Sequence, residues 1–335
     1  MFVNYYTSFG SYRKAELLTV SKQSPPGLKV KQLDFGPSLF FHVDEVVATY
    51  NDLVLMCLNC YRQGNIYYIC NPTIKQWIAL PPAPIFHGKK PVGFTLDSDN
   101  KCCKVVRILG FKLELETPSL EVQIFSSETG EWIQLDLVLQ GCKSRHRYSF
   151  INIMNYSPVA HNGTLYWITC SGHLIGLELF SKFNINTTKC HGRLISNPNP
   201  VRRVNLKDER LCVCQGSVRL CQLYSGPESK LSLYIWELKE DDEWCSKEFF
   251  DLHPLLSGFQ MRYRLLAFDS NDEDILYLWR KEQPSETLDI LMCNIRTLKA
   301  TEISQKFSSS STFPLRSFQF VLPWWRWPTP VPRLN

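Results

Sequence analysis

Apolar and polar residues alternate along most of this chain in runs of four to eight positions, and turn residues separate the runs. A period of two marks half-buried strands, and helical periodicity is nearly absent. Leu211-Cys212-Val213-Cys214, the turn Gln215-Gly216-Ser217 and Val218-Arg219-Leu220-Cys221 read as one hairpin. Pro158-Val159-Ala160-His161, then Asn162-Gly163, then Thr164-Leu165-Tyr166-Trp167 read as another. Asn-Gly supplies the two positive φ angles of a type I′ turn, whose twist matches the strands on either side.

A longer period lies over the alternation. Ile69-Cys70-Asn71-Pro72-Thr73-Ile74-Lys75-Gln76-Trp77-Ile78-Ala79-Leu80 is an apolar strand, a polar turn, a Trp and then a Leu. Residues 124–135 repeat it around Trp132, and residues 235–244 repeat it with Trp236 and Trp244. Trp77 and Trp132 are 55 residues apart, and Trp244 follows at about twice that interval. The same spacing predicts weaker units at residues 174–188 and 291–303, which lack the Trp. Repeats of about 55 residues leave room for four short strands each, which is the size of a propeller blade.

The expected fold is therefore all-β and propeller-like, with about six blades of four short antiparallel strands. Five blades come from the repeats. The sixth combines N-terminal strands (residues 28–35 and 39–43) with a C-terminal one (317–322), which would remove open sheet edges. The expected boundaries are an N-terminal segment over 1–27, the β domain over 28–323 and a Trp/Pro-rich tail over 324–335. In this reading Trp77, Trp132 and Trp244 pack blades together and do not touch partners.

Composition narrows the function classes. The net charge of +5 is mild, the pI is near 8.5, and basic residues are scattered in small groups, a pattern that argues against nucleic acid. The longest apolar run, Leu53-Val54-Leu55-Met56-Cys57-Leu58, is far short of a bilayer span, and the first residues lack a secretory pattern. The chain is expected in the cytosol or nucleus, not secreted. Thirteen cysteines, an odd number set mostly in apolar segments, read as small core hydrophobes.

The motifs resemble the plant F-box-associated domain. Asn71-Pro72-Thr73 with Trp77 and Leu80-Pro81-Pro82 is similar to that family's "NPxTxxWxxLP" signature. Val92-Gly93-Phe94 with Lys104-Val105-Val106-Arg107 resembles its next strand pair, with Thr95 and Cys103 where Gly and Tyr are common. Asn162-Gly163 with Tyr166-Trp167 resembles its "NGxxYW", and residues 231–244 its segment around Trp236 and Trp244. The resemblance implies a kelch-like propeller that captures the protein substrate of a cullin-based ubiquitin ligase, with no catalysis or cofactor. An N-terminal F-box would dock the ligase core. None is readable before Leu39, where Lys14-Ala15-Glu16-Leu17-Leu18 is the nearest helical candidate, so docking to the ligase core is left in doubt. A propeller scaffold unconnected to ubiquitin is the alternative, and a propeller enzyme a distant third.

Other motifs lack the residues their chemistry needs. Cys57-x-x-Cys60 lacks a second pair at zinc-site spacing, so no metal is expected. Residues 126–132 resemble a sialidase-propeller box but read as a blade turn. His161 and His173 have no local nucleophile, and residues 269–274 lack the Gly and Glu of a calcium loop. Lys143-Ser144-Arg145-His146-Arg147-Tyr148 mixes cations with an aromatic on an inter-strand loop. Arg145, Arg147 and Tyr148 are the partner-contact candidates there, with a preference for an acidic segment. Trp324-Trp325-Arg326-Trp327 is expected to pack against the N-terminal strands.

Overall fold

A computed structural model describes residues 2–5, 14–21, 27–32, 45–60, 64–86, 90–113, 118–141, 158–180, 189–198, 205–226, 230–254, 256, 261–282, 287–303, 307–308, 316–318 and 331–332. Every regular element among these residues is a strand apart from a single 3-10 residue at 205. The strands group into two compact units, one of residues 1–32 and 198–319 and the other of residues 33–197 and 320–335.

The first unit holds a sheet built from both ends of the sequence. Strands β1 (Phe2–Tyr5), β2 (Lys14–Ser21) and β3 (Gly27–Gln32) lie with a C-terminal strand, Arg316–Phe318, in the order Arg316–Phe318, β1, β2, β3. The sequence places the N-terminal strands later, and two differences follow. Residues 14–18 are strand and not helix, because Thr19-Val20 continue them and both edges of β2 are paired. Residues 39–43 lie outside the described residues.

The second unit begins with β4 (Glu45–Tyr50), β5 (Leu53–Cys60), β6 (Gly64–Asn71) and β7 (Gln76–Ala79), an antiparallel meander. A second meander follows: β8 (Val92–Leu96), β9 (Cys103–Leu113), β10 (Pro118–Ser126) and β11 (Glu131–Gln140). A third comprises β12 (Val159–His161), β13 (Thr164–Ile168), β14 (Leu174–Glu178) and β15 (Lys189–Ile195). The outer strands β11 and β15 pair in parallel, Asp136 opposite Lys189 through Gln140 opposite Arg193, and join these two meanders into one eight-stranded sheet.

The first unit resumes with β16 (Leu206–Cys214), β17 (Ser217–Ser225), β18 (Leu231–Leu238) and β19 (Trp244–Asp251). Its last sheet is β20 (Met261–Phe268), β21 (Ile275–Glu282), β22 (Thr287–Asn294) and β23 (Lys299–Glu302), with β24 (Phe307–Ser308) added beside β22. The C-terminal strand Arg316–Phe318 is β25. Six four-stranded units are thus present among the described residues, as the repeat predicts.

The turn-Trp-Leu unit is the third strand, the hairpin and the fourth strand of the sheets that carry it. Trp77 lies opposite Cys70, and Trp132 opposite Phe125. In the degraded copy of β22 and β23, Ala300 stands opposite Cys293, where a Trp would be. The expected hairpins form: Gln215 and Gly216 have φ of 49° and 75°, and Asn162 and Gly163 have 46° and 74°. One core in the second unit lies between the first two meanders, around Leu55, Tyr67, Phe94, Val105 and Phe125, with Val331 packed against it. Another lies between the second and third, around Ile108, Val122, Leu139, Trp167 and Leu177. In the first unit, Leu223, Leu233, Leu265, Leu276 and Cys293 join β16–β19 to β20–β23.

Candidate partner-binding surface

The motif residues sit at turns and between sheets. Asn71 is fully buried: its Nδ2 donates to Asp52 Oδ2 at 2.7 Å, and its Oδ1 accepts from the backbone N–H of Thr73 at 2.9 Å. That side chain mimics a turn of backbone and fixes the β6–β7 hairpin, with half-buried Pro72 inside it. Trp77 packs edge-on against Tyr68 within its own sheet, with ring centroids 6.0 Å apart. Trp236 is half-buried and donates from Nε1 to Gln222 Oε1 at 3.1 Å, and half-buried Trp244 opens β19. Trp167 is 1% exposed and lies against the second meander. It can do so because Gly93 has no side chain: a Cβ there would stand 3.0 Å from the Trp167 ring and 2.9 Å from Pro158. Tyr166 is buried beside Gly176 in the same way.

Residues 80–86, which follow the first meander, are built differently from an ordinary surface loop. The N–H of Leu80 donates to Tyr67 O at 2.8 Å and that of Ala83 to Asn65 O at 3.0 Å, so the segment first runs on as a pseudo-strand along β6. Gly64 permits this approach, since a Cβ would meet Ala83 O at 2.7 Å. Trp132 Nε1 then donates to Pro81 O at 3.0 Å, across 51 positions of sequence. The same indole stacks at a tilt on Tyr67 and Phe125, at 5.9 and 5.5 Å.

Three residues further on, Arg107 Nη1 donates to Pro84 O at 3.0 Å. Arg107 is 0% exposed, and it forms no ion pair with a described carboxylate. Its other bond is from Nη1 to Gln123 Oε1 at 2.8 Å, and its guanidinium lies 5.8 Å from the Tyr67 ring centre. Gln123 Nε2 in turn donates to Gln134 Oε1 at 3.1 Å, and Gln134 Nε2 donates to Glu121 Oε1 at 2.7 Å. The Arg107 Nε has no partner among the described residues. A buried cation met only by amides, a carbonyl and a ring is costly. Its visible effect is to hold the carbonyl that precedes Ile85.

Ile85 and Phe86 follow at once, 66% and 38% exposed. Lys90 closes the loop, with its ammonium 4.2 Å from the Phe86 ring centre and donating to Leu109 O at 2.7 Å. Two large apolar side chains are therefore held out from a stem anchored by half-buried Trp132 and buried Arg107. An anchored apolar contact loses little freedom on binding. The sequence signal was present, in a Pro81-Pro82-Ala83-Pro84 stem followed by two apolar residues with no alternation. The partner-contact candidates Arg145, Arg147 and Tyr148 lie outside the described residues, as do Trp324, Trp325 and Trp327.

The candidate catalytic residues are dispersed. His161 ends β12 and His173 precedes β14, at opposite ends of β13, and burial lowers the pKa of His161. Burial pushes the thiols of Cys70, Cys103 and Cys293 up to about 12, which keeps these three protonated at neutral pH. Cys57 lies in the core of the second unit. No group of three or more His, Cys, Asp or Glu is placed to hold a metal among the described residues. Residues 269–274 form the β20–β21 connection, where Glu273 and Asp274 pair with Arg219 and Arg296.

The family model "F-box protein At3g26010-like, beta-propeller" matches residues 37–318. The chain belongs to this family of F-box β-propeller domains. It is similar to F-box protein At3g28330 of Arabidopsis thaliana, 26% identical over 243 residues that cover 70% of this chain and 56% of the relative. It is also similar to F-box protein At3g26010 of the same plant, 25% identical over 244 residues that cover 69% of this chain and 52% of the relative. The chain spans about half the length of the curated relatives it matches. Among solved structures it is similar to a prolyl endopeptidase at 12% identity, covering 91% of this chain and 39% of that one, with a TM-score of 0.39. That likeness carries no functional argument.

Proposed function

We propose that this chain is the partner-capturing propeller of an F-box protein, which presents a protein substrate to a cullin-based ubiquitin ligase in the cytosol or nucleus and performs no catalysis itself. The observation that carries the reading is the Ile85–Phe86 pair, exposed on a stem held by Trp132 and Arg107. Exposed apolar side chains cost solubility, and a fold that fixes them in place gains nothing internal from the exposure. Membership of the family of F-box β-propeller domains supports the link to the ligase.

The test uses the tagged full chain for affinity purification from plant cells, beside an Ile85→Asp/Phe86→Asp variant. The reading expects wild type to retain a defined protein set that the variant loses, with the cullin adaptor retained by both. Partners retained without the adaptor would assign a scaffold independent of ubiquitination. An unchanged set in the variant would remove the loop from the account.

A further inference from the structure

Charge is unevenly distributed along the second unit. From Leu53 to Leu96 the sequence carries no Asp or Glu, although the whole chain has 32 acidic residues in 335. The same stretch carries Arg62, Lys75, Lys89 and Lys90. Ile85 and Phe86 lie inside it, so no neighbour in sequence neutralises the cations beside them.

Lys90 is a cation whose position the fold fixes. Strand β9 bulges against β10: Glu121 stands opposite Gly110 and Val122 opposite Ile108, which leaves Leu109 with no opposite residue. A bulge releases backbone groups from the ladder. Lys90 Nζ donates to the carbonyl of Leu109 at 2.7 Å, and the N–H of Ile108 donates to Pro91 O at 3.0 Å, so residues 90 and 91 are tied to the bulge. The ammonium then stands 4.2 Å from the Phe86 ring centre.

An ammonium has three donors, and the Leu109 carbonyl uses one. Lys90 is half-buried and forms no ion pair with a described carboxylate. In the same unit Lys101 pairs with Asp99 at 3.5 Å and Lys112 with Asp136 at 2.9 Å. At Pro84, Arg107 adds a second positive charge, which its carbonyl and amide partners do not cancel. A cation in a partly desolvated place attracts an anion more strongly than one in open water.

We infer that Ile85, Phe86 and Lys90 form one subsite for an extended peptide segment of the partner, in which an apolar residue lies one or two positions from an Asp or Glu. The apolar side chain covers Ile85 and Phe86, and the carboxylate accepts from the remaining donors of Lys90. Two apolar side chains and one fixed ammonium match the footprint of a few peptide residues, whereas a membrane surface is held by broader apolar faces and clustered cations. The inference rests on the capture reading of this loop and adds the chemistry of what is captured.

The experiment selects peptides from a random dodecapeptide display library on the tagged full chain, then follows the fluorescence anisotropy of a labelled consensus peptide. The subsite predicts a consensus that pairs an apolar residue with Asp or Glu. Its affinity should fall about tenfold when that acid becomes an amide, fall similarly in Lys90→Gln, and weaken with added salt. Lys90→Arg should keep the preference for the acid, and selection on Lys90→Glu should return Lys or Arg in its place. A lysine of merely structural importance would weaken binding without reversing the charge selected. Phosphatidylserine vesicles serve as a second probe. A consensus without an acid, lost in Ile85→Asp/Phe86→Asp, would overturn the inference and leave the loop as the capture site. A consensus retained by that double variant would overturn both. No enriched consensus, an unaltered consensus on Lys90→Glu, or vesicle binding that requires Lys90 would also overturn the inference.

Discussion

In the second unit, contacts between the first two meanders are aromatic and apolar: Trp132 lies on Tyr67 and Phe125, and the one buried guanidinium described there, Arg107, is met by amides and a carbonyl. In the first unit, the join between β16–β19 and β20–β23 adds a charged hub to its apolar core. Arg219 is 2% exposed and binds Glu237 and Glu273, Lys247 binds both, and Arg296 reaches Asp274 and Glu248. The first strands differ in the same sense. Val92-Gly93-Phe94-Thr95-Leu96 is fully buried, whereas β16 and β20 carry Asp208, Glu209, Arg210, Arg262 and Arg264. One repeated four-stranded plan is stabilised by two kinds of chemistry, and the two should respond differently to truncation, acid and salt.

The largest effect is expected at Trp132. Trp132→Ala removes an indole shared by two meanders together with its bond to Pro81, and should cost about 3 kcal/mol in urea unfolding. Trp132→Phe should recover most of the packing and lose only the hydrogen bond, a difference of about 1 kcal/mol.

Arg219→Met comes next, at about 1–2 kcal/mol, because it leaves Glu237 and Glu273 to the lysines alone. Acid separates the units further. The hydrogen bond from Lys239 is the main cause holding the Glu237 carboxyl below its usual 4.5, and Lys247, then Arg219, do the same for Glu273. A depressed carboxyl contributes stability that is present above its unfolded pKa and is lost as pH falls through the folded one. Wild-type stability from this pair should therefore decline as pH drops below about 4.5, and less so in Arg219→Met/Lys247→Met. Asp208, which burial raises, works in the opposite sense. Melting temperatures of both proteins across acid pH check this. Hydrogen exchange should show β17–β19 opening before β8–β10.

Arg107→Met should change stability by less than about 1 kcal/mol in either direction, since an apolar chain of similar volume removes a buried charge. Its effect belongs at the loop. Without the bond to Pro84 O, backbone exchange at Ile85 and Phe86 should quicken and partner affinity should fall. A large loss of stability with unchanged partner affinity would give Arg107 a purely structural role.

Much of this architecture was legible in the sequence because strands announce themselves locally. Asn162-Gly163 and Gln215-Gly216 needed only their own turn preference, and the Trp repeat exposed the third and fourth strands of five sheets. Residues 14–21 were harder, because Lys14-Ala15-Glu16-Leu17-Leu18 has no helix-excluding residue and becomes a strand only through pairing on both edges. The anchored loop depended on contacts far apart in sequence. Trp132 could be read as a packing residue, but its bond to Pro81 spans 51 positions. Arg107 sits in an alternating strand where a cation ordinarily faces water, so nothing local showed that it is buried.

The smallest expected stability effect carries the most functional weight. Ile85→Asp/Phe86→Asp should alter unfolding free energy by no more than about 0.5 kcal/mol, since both side chains already face solvent. The decisive measurement is quantitative affinity purification with this variant beside wild type, at matched expression and melting temperature. The account predicts that the specific partner set disappears while the fold is unchanged. An identical partner set on both proteins would contradict it.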